Sequence, residues 1–158
     1  MTYSRTEQLL AYLAQQHPRA SVTVLMKLAY LIDLSAIESK NKPISCFEYR
    51  RFNYGPFDEN IYSTINKLVD GNVLVTEAAY GLGGSEYIVY KFNDDLGDFD
   101  FKKLKPHMDL INKVLKALNG FGAKTLTSIA YKTKPMLALG ATLGGKEAMN
   151  TPLNLKAK

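Results

Sequence analysis

Apolar side chains recur every three or four positions along residues 22–39. Leu25, Leu28, Leu31, Ile32, Leu34 and Ile37 share one face, while Lys27 and Glu38 are expected to point to water, so a helix with a buried side is predicted. Asn41-Lys42-Pro43 stops it. Residues 44–53 then carry Ile, Cys, Phe, Tyr and Phe, the types that suit a half-buried pleated strand, which Gly55-Pro56 ends before another helix begins.

The same reading extends to both sides. Ser4 to Glu7 spells S-R-T-E, a capping box, and Leu9, Leu10, Leu13 and Ala14 give a first helix its apolar side until His17-Pro18. Residues 57–69 form a helix with Ile61, Ile65 and Leu68 inward, Asp58 and Glu59 near its positive end and Gly71 as its stop. Residues 73–78 and 86–92 are β-rich runs joined by a glycine-rich turn, hence a hairpin. An acidic loop over 93–100 leads to a helix over 101–118 and a shorter one over 125–131, which ends before Pro135. The fold class expected is α+β: one mostly helical domain with a small antiparallel sheet. The order helix, glycine, hairpin in its central part is that of a winged helix.

Composition narrows the class. With 158 residues the chain can bury roughly two-thirds of its unfolded surface, so it needs neither metal nor disulfide as a staple. Cys46 is the single cysteine, which excludes an intrachain disulfide and favours a reducing, cytoplasmic setting. No apolar run approaches the roughly 20 residues of a membrane span, and no secretion signal is read at the N-terminus.

The net charge of +5 is unevenly spread. Charges cancel up to Ala79, residues 80–101 are acidic, and every lysine from Lys102 to Lys158 faces only Asp109 and Glu147. A lysine-rich end of this kind suits solvent, an acidic partner or a phosphate backbone. DNA binding through a winged helix is discounted, because residues 57–69 would bring Asp58 and Glu59 to the phosphates and the hairpin tip carries no basic residue. Nucleic acid is therefore an unlikely or weak partner.

Catalytic constellations are sparse. His17 and His107 flank prolines at helix ends and read as surface residues. Cys46 reads as a packed small side chain. Gly81 to Gly84 lacks the lysine and helix of a phosphate loop, and residues 140–146 are read as a flexible connector. No catalytic residue, metal or cofactor is expected, and the chain is not read as an enzyme. Asp33, set in the apolar helix, requires a donor, with Arg50, Arg51 and Tyr54 of the following strand as candidates. The corner they form with Tyr49 and Phe57 is the candidate surface for a partner, since arginine and aromatic side chains dominate binding hot spots.

Three words in this order, K-L-A-Y-L-I-D at residues 27–33, N-K-P-I-S at 41–45 and F-N-Y-G-P at 52–56, resemble the Panacea domain, also called SocA-like. INKLVDGNVL at 65–74 and the helical section at 118–135 continue the resemblance. It covers residues 1–139 as one domain and leaves 140–158 as a tail, departing at Met136 where an aromatic residue commonly stands. Lys27, Tyr30, Asp33, Gly55 and Pro56 are the structural motif, with Tyr49, Arg51, Tyr54 and Phe57 as partner-binding candidates. The resemblance implies a bacterial or phage-borne antitoxin that neutralises a cognate protein toxin by direct contact. One member of the family instead hands its toxin to an ATP-dependent protease. A winged-helix transcriptional regulator is the alternative.

Overall fold

A computed structural model describes residues 2–157. Helix α1 (Arg5–Gln16) opens on the reciprocal cap its sequence spells: the Glu7 amide donates to Ser4 Oγ at 3.1 Å and the Ser4 amide to Glu7 Oε1 at 2.7 Å. Helix α2 (Val22–Lys40) is buried over most of its surface because α1, α4 (Met108–Leu118) and α5 (Ala123–Tyr131) all pack on it. Asn41, at φ 60°, ends it in the left-handed conformation asparagine tolerates. As the central helix, α2 carries Lys27, Tyr30 and Asp33 inward, and Lys27 is only 2% exposed. That corrects the expectation that Lys27 faces water.

The strand expected over residues 44–53 is shorter. Only β1 (Arg50–Phe52) is laddered, and Gly55 and Pro56 do not end a strand but belong to a second one, β2 (Gly55–Phe57), paired as Arg50↔Phe57, Arg51↔Pro56 and Phe52↔Gly55. Residues 44–49 have the alternating apolar pattern of a strand because Ile44, Phe47 and Tyr49 are buried, yet their amides bond to side chains instead of a neighbouring strand. Helix α3 (Asn60–Asp70) turns Ile61, Ile65 and Leu68 inward as its spacing predicts. Gly71 follows, then the antiparallel hairpin of β3 (Leu74–Tyr80) and β4 (Glu86–Phe92).

The expected helix over 101–118 is split. Lys102–His107 winds as a 3-10 helix around Pro106, which lacks the N–H an α-helix would use, and α4 begins at Met108. Helix α5 ends at Tyr131, as expected, ahead of Pro135. Pro135 sits in the first turn of a short helix α6 (Lys134–Ala138), where a missing N–H costs nothing. The result is mostly helical, with two separate two-stranded sheets. Among the described residues no helix is long and apolar enough to cross a membrane.

The last residues return to β1. The Arg51 amide donates to the Thr151 carbonyl at 2.9 Å, Asn150 N–H to the Arg51 carbonyl at 2.6 Å and Leu153 N–H to the Tyr49 carbonyl at 2.9 Å. Residues 140–157 thus close over the short hairpin.

Candidate functional site

Positions 27, 30 and 33 lie three apart on α2, so their side chains project from one face in succession. Each reaches a different segment. Lys27 Nζ donates to the Pro56 carbonyl at 3.1 Å, the Tyr30 and Thr133 hydroxyls meet at 2.7 Å, and Asp33 receives residues 44–49. The words legible in the sequence are therefore words that touch in the fold.

Asp33 is fully buried. Its Oδ1 accepts from the amides of Ile44 at 2.8 Å and Ser45 at 2.9 Å, and its Oδ2 accepts from the Tyr49 hydroxyl at 2.7 Å and from the Ser45 hydroxyl in a short bond. Four donors satisfy both oxygens, which is what a buried carboxylate requires. Arg50, Arg51 and Tyr54 are not among them: the chain between α2 and β1 folds back first and presents its own amides. Burial, and then the neighbouring Asp33 charge, push the Tyr49 hydroxyl well above its ordinary pKa. Burial also raises Tyr30, to about 12, and lowers Lys27, to about 8.

Arg51 is fully buried as well. Its guanidinium donates to the carbonyls of Thr142 at 3.0 Å, Gly145 at 2.9 Å and Glu147 at 3.2 Å, and to that of Phe52, and it lies 5.3 Å from the centre of the Tyr131 ring. The segment read as a flexible connector is therefore an ordered cage of carbonyls around a cation. Gly55 packs closely against the same Tyr131 ring. At φ 102°, a conformation that favours glycine, an added Cβ would stand 3.3 Å from Tyr131 Cε2 and 3.7 Å from Lys27 Cε.

Of the residues expected to face a partner, Tyr49 and Arg51 lie inside and Phe57 is half-buried against Phe52 and Tyr62. Tyr54 alone stands out, 68% exposed on the turn between β1 and β2. Beside it is a groove of about 340 Å³ lined by Thr23, Tyr54, Ala123, Lys124, Thr127 and Leu143. Lys124 and Leu143 escaped the sequence reading, because only the packing of α5 and the C-terminal segment on α2 brings them to Tyr54.

The remaining candidates separate. His17 is not a surface residue: it is buried, with Nδ1 accepting from the Arg19 amide at 3.0 Å and Nε2 donating to the Phe121 carbonyl at 2.9 Å. Nε2 thus ties the end of α1 to the turn before α5, while Nδ1 holds the turn that follows α1. Burial, with Arg5 and Lys40 nearby, lowers the pKa of His107. Cys46, expected to be packed, is exposed because its neighbours Ser45 and Phe47 take the inward positions. No cluster of three His, Cys, Asp or Glu side chains suited to a metal occurs among the described residues.

A family model described as antitoxin SocA-like, Panacea domain, matches residues 25–135. No curated protein and no solved structure matches the chain significantly. The matched span runs from the middle of the first turns of α2 to the start of α6, and so contains Lys27, Tyr30, Asp33, the short hairpin and Tyr131.

Proposed function

The chain belongs to the family of SocA-like antitoxins with a Panacea domain, and from that premise we propose that it neutralises a cognate protein toxin by direct, stoichiometric contact at the groove beside Tyr54. The observation that carries this reading is the contrast between Tyr54 and its supports. Tyr54 is an exposed aromatic side chain on a turn whose flanks, Arg51 on one side and Gly55 and Pro56 on the other, are buried, so its backbone is anchored before any partner arrives, and aromatic side chains on such supports are common hot spots.

The chemistry around the anchor fits an acidic toxin surface. Lys124 lines the groove, and Lys132, Lys134 and Lys146 are exposed on the same C-terminal segments. On the C-terminal segment that carries Leu143, the one acidic residue, Glu147, accepts from the Thr142 hydroxyl at 3.1 Å. Apolar contact with Tyr54 and Leu143 supplies affinity, and the lysines steer approach. The winged-helix reading gains no such support: Leu82 at the hairpin tip is fully exposed, and the tip has no cation to offer a phosphate.

Co-expression with the product of a neighbouring toxin gene tests the proposal. Rescue should require about one antitoxin per toxin in a host lacking ATP-dependent proteases, and Tyr54→Ala or Lys124→Glu should abolish it while melting stays unchanged. Rescue that persists in both folded variants would move the contact elsewhere. Rescue lost only with the protease would make the chain an adaptor.

A further inference from the structure

The longer hairpin leaves one strand edge unused. Three backbone bonds fix which way its groups face: Asn93 N–H donates to the Val73 carbonyl at 2.9 Å, Gly81 N–H to the Ser85 carbonyl at 2.8 Å and Tyr90 N–H to the Ala20 carbonyl at 2.8 Å. Hydrogen-bonded pairs alternate along an antiparallel ladder, so with Leu74 opposite Phe92 the residues Val75, Glu77 and Ala79 bond to β4. The N–H and C=O groups of Thr76, Ala78 and Tyr80 therefore point away from it. Among the described residues these groups have no backbone partner. On the outer edge of β4, in contrast, Ala20 takes up the Tyr90 amide midway along the strand.

Strand edges are ordinarily blunted by lysine, proline, a bulge or a covering segment. The sequence of β3, LVTEAAY, holds no lysine or proline, and its register with β4 is continuous. Thr76, Glu77, Ala78 and Tyr80 are exposed. The one charge, Glu77, is already paired with Lys91 across the hairpin at 3.2 Å.

We infer that this edge docks a second copy of the chain, β3 against β3 in antiparallel pairing about a two-fold axis at Ala78, which joins the two hairpins into a four-stranded sheet. Charge selects the axis. Centred on residue 77, the pairing would set two Glu77 side chains directly opposite each other, which is unfavourable. Centred on residue 78 it sets Glu77 opposite Ala79 and Thr76 opposite Tyr80, and all three unpaired residues of each copy are used. The same register continues the exposed apolar face of Tyr80 and Ile88, 63% and 42% exposed, from one hairpin onto the other. A self-complementary edge of this kind is what an isologous dimer needs. The inference stands apart from the toxin reading, since groove and edge lie on different hairpins.

Sedimentation of the full chain across a concentration series tests it. The expected result is a monomer–dimer equilibrium in the micromolar range. Thr76→Lys and Ala78→Pro should each leave monomer only; the amide lost at residue 78 is one that β4 does not use, and the lysine variant serves if the proline disturbs the hairpin. In a Cys46→Ser background, Ala78→Cys should cross-link to its own copy through a short bismaleimide. Leu82→Cys should not, because the register separates the two copies of that residue by eight strand positions, about 27 Å. A monomer at every concentration, or a dimer that both edge variants leave intact, overturns the inference. Protection of the β3 amides that appears only when a toxin is added overturns it too, since the edge then belongs to the toxin.

Discussion

The β1–β2 hairpin has three residues in each strand and is roofed by α2, Tyr131 and the C-terminal segment; the β3–β4 hairpin has seven and leaves its tip and one edge in water. A short hairpin alone is marginal in water, so the first one exists because charged groups are bonded across it: Lys27 to Pro56 and Arg51 to four carbonyls. The second is held by its own ladder and by Leu74 and Val89 in the core, and needs nothing from its tip. Buried charge is thus concentrated at the short hairpin, while the longer hairpin, held by its ladder, stays open to solvent.

Substitutions beneath the two hairpins should therefore differ sharply. Asp33→Ala strips an acceptor from two amides and two hydroxyls, all inside, and should cost about 3 kcal/mol or more of stability in urea unfolding. A loss below about 1 kcal/mol would mean that the network is not what fixes residues 44–49. Arg51→Met keeps the aliphatic stem but leaves the Thr142, Gly145 and Glu147 carbonyls without their donor. It should destabilise by about 2 kcal/mol and raise amide exchange selectively over residues 142–151. Uniform exchange across the chain would show that the C-terminal segment is not held through this side chain.

The buried lysine gives a smaller effect with a definite sign. Its pKa falls from 10.5 to about 8 on folding, so the unfolded chain binds more protons between those values, and the burial penalty on the charged amine is relieved as pH rises from about 8 to 10.5. Tyr30, raised to about 12, acts in the opposite sense above pH 10. Stability of the wild type measured against Lys27→Met should gain over pH 8–10, and a difference that is flat there would contradict a protonated, desolvated Lys27. Least affected should be Leu82→Ser at the tip of the outer hairpin, within about 0.5 kcal/mol of wild type. A larger loss would place the tip in a contact that the isolated chain does not show.

Legibility followed the same division. Where a local rule decides, as in the Ser4–Glu7 cap or the inward row Ile61, Ile65 and Leu68, the residues announce the structure. That Asp33 needed donors was also readable. Which donors was not, because two are amides of a non-repetitive segment and carry no side-chain signature. The alternation over 44–53 encodes burial of every second side chain, which a laddered strand and an extended strap share, so only the partner decides between them. Arg51 looked like a surface hot spot because its cage comes from residues about 90 positions away that read as a glycine-rich connector. Tyr54 kept its exposed place, while the Lys124 and Leu143 that flank it were invisible until three segments met.

Synthesis has a direction, and the carbonyl cage makes it matter. Arg51 leaves the ribosome 91 residues before Thr142; at 5–20 residues per second its guanidinium waits roughly 5–18 s for its acceptors. The groove beside Tyr54 waits equally long for Leu143. A nascent chain thus lacks both the cage around Arg51 and the full lining of this groove until residues 142–147 have been made.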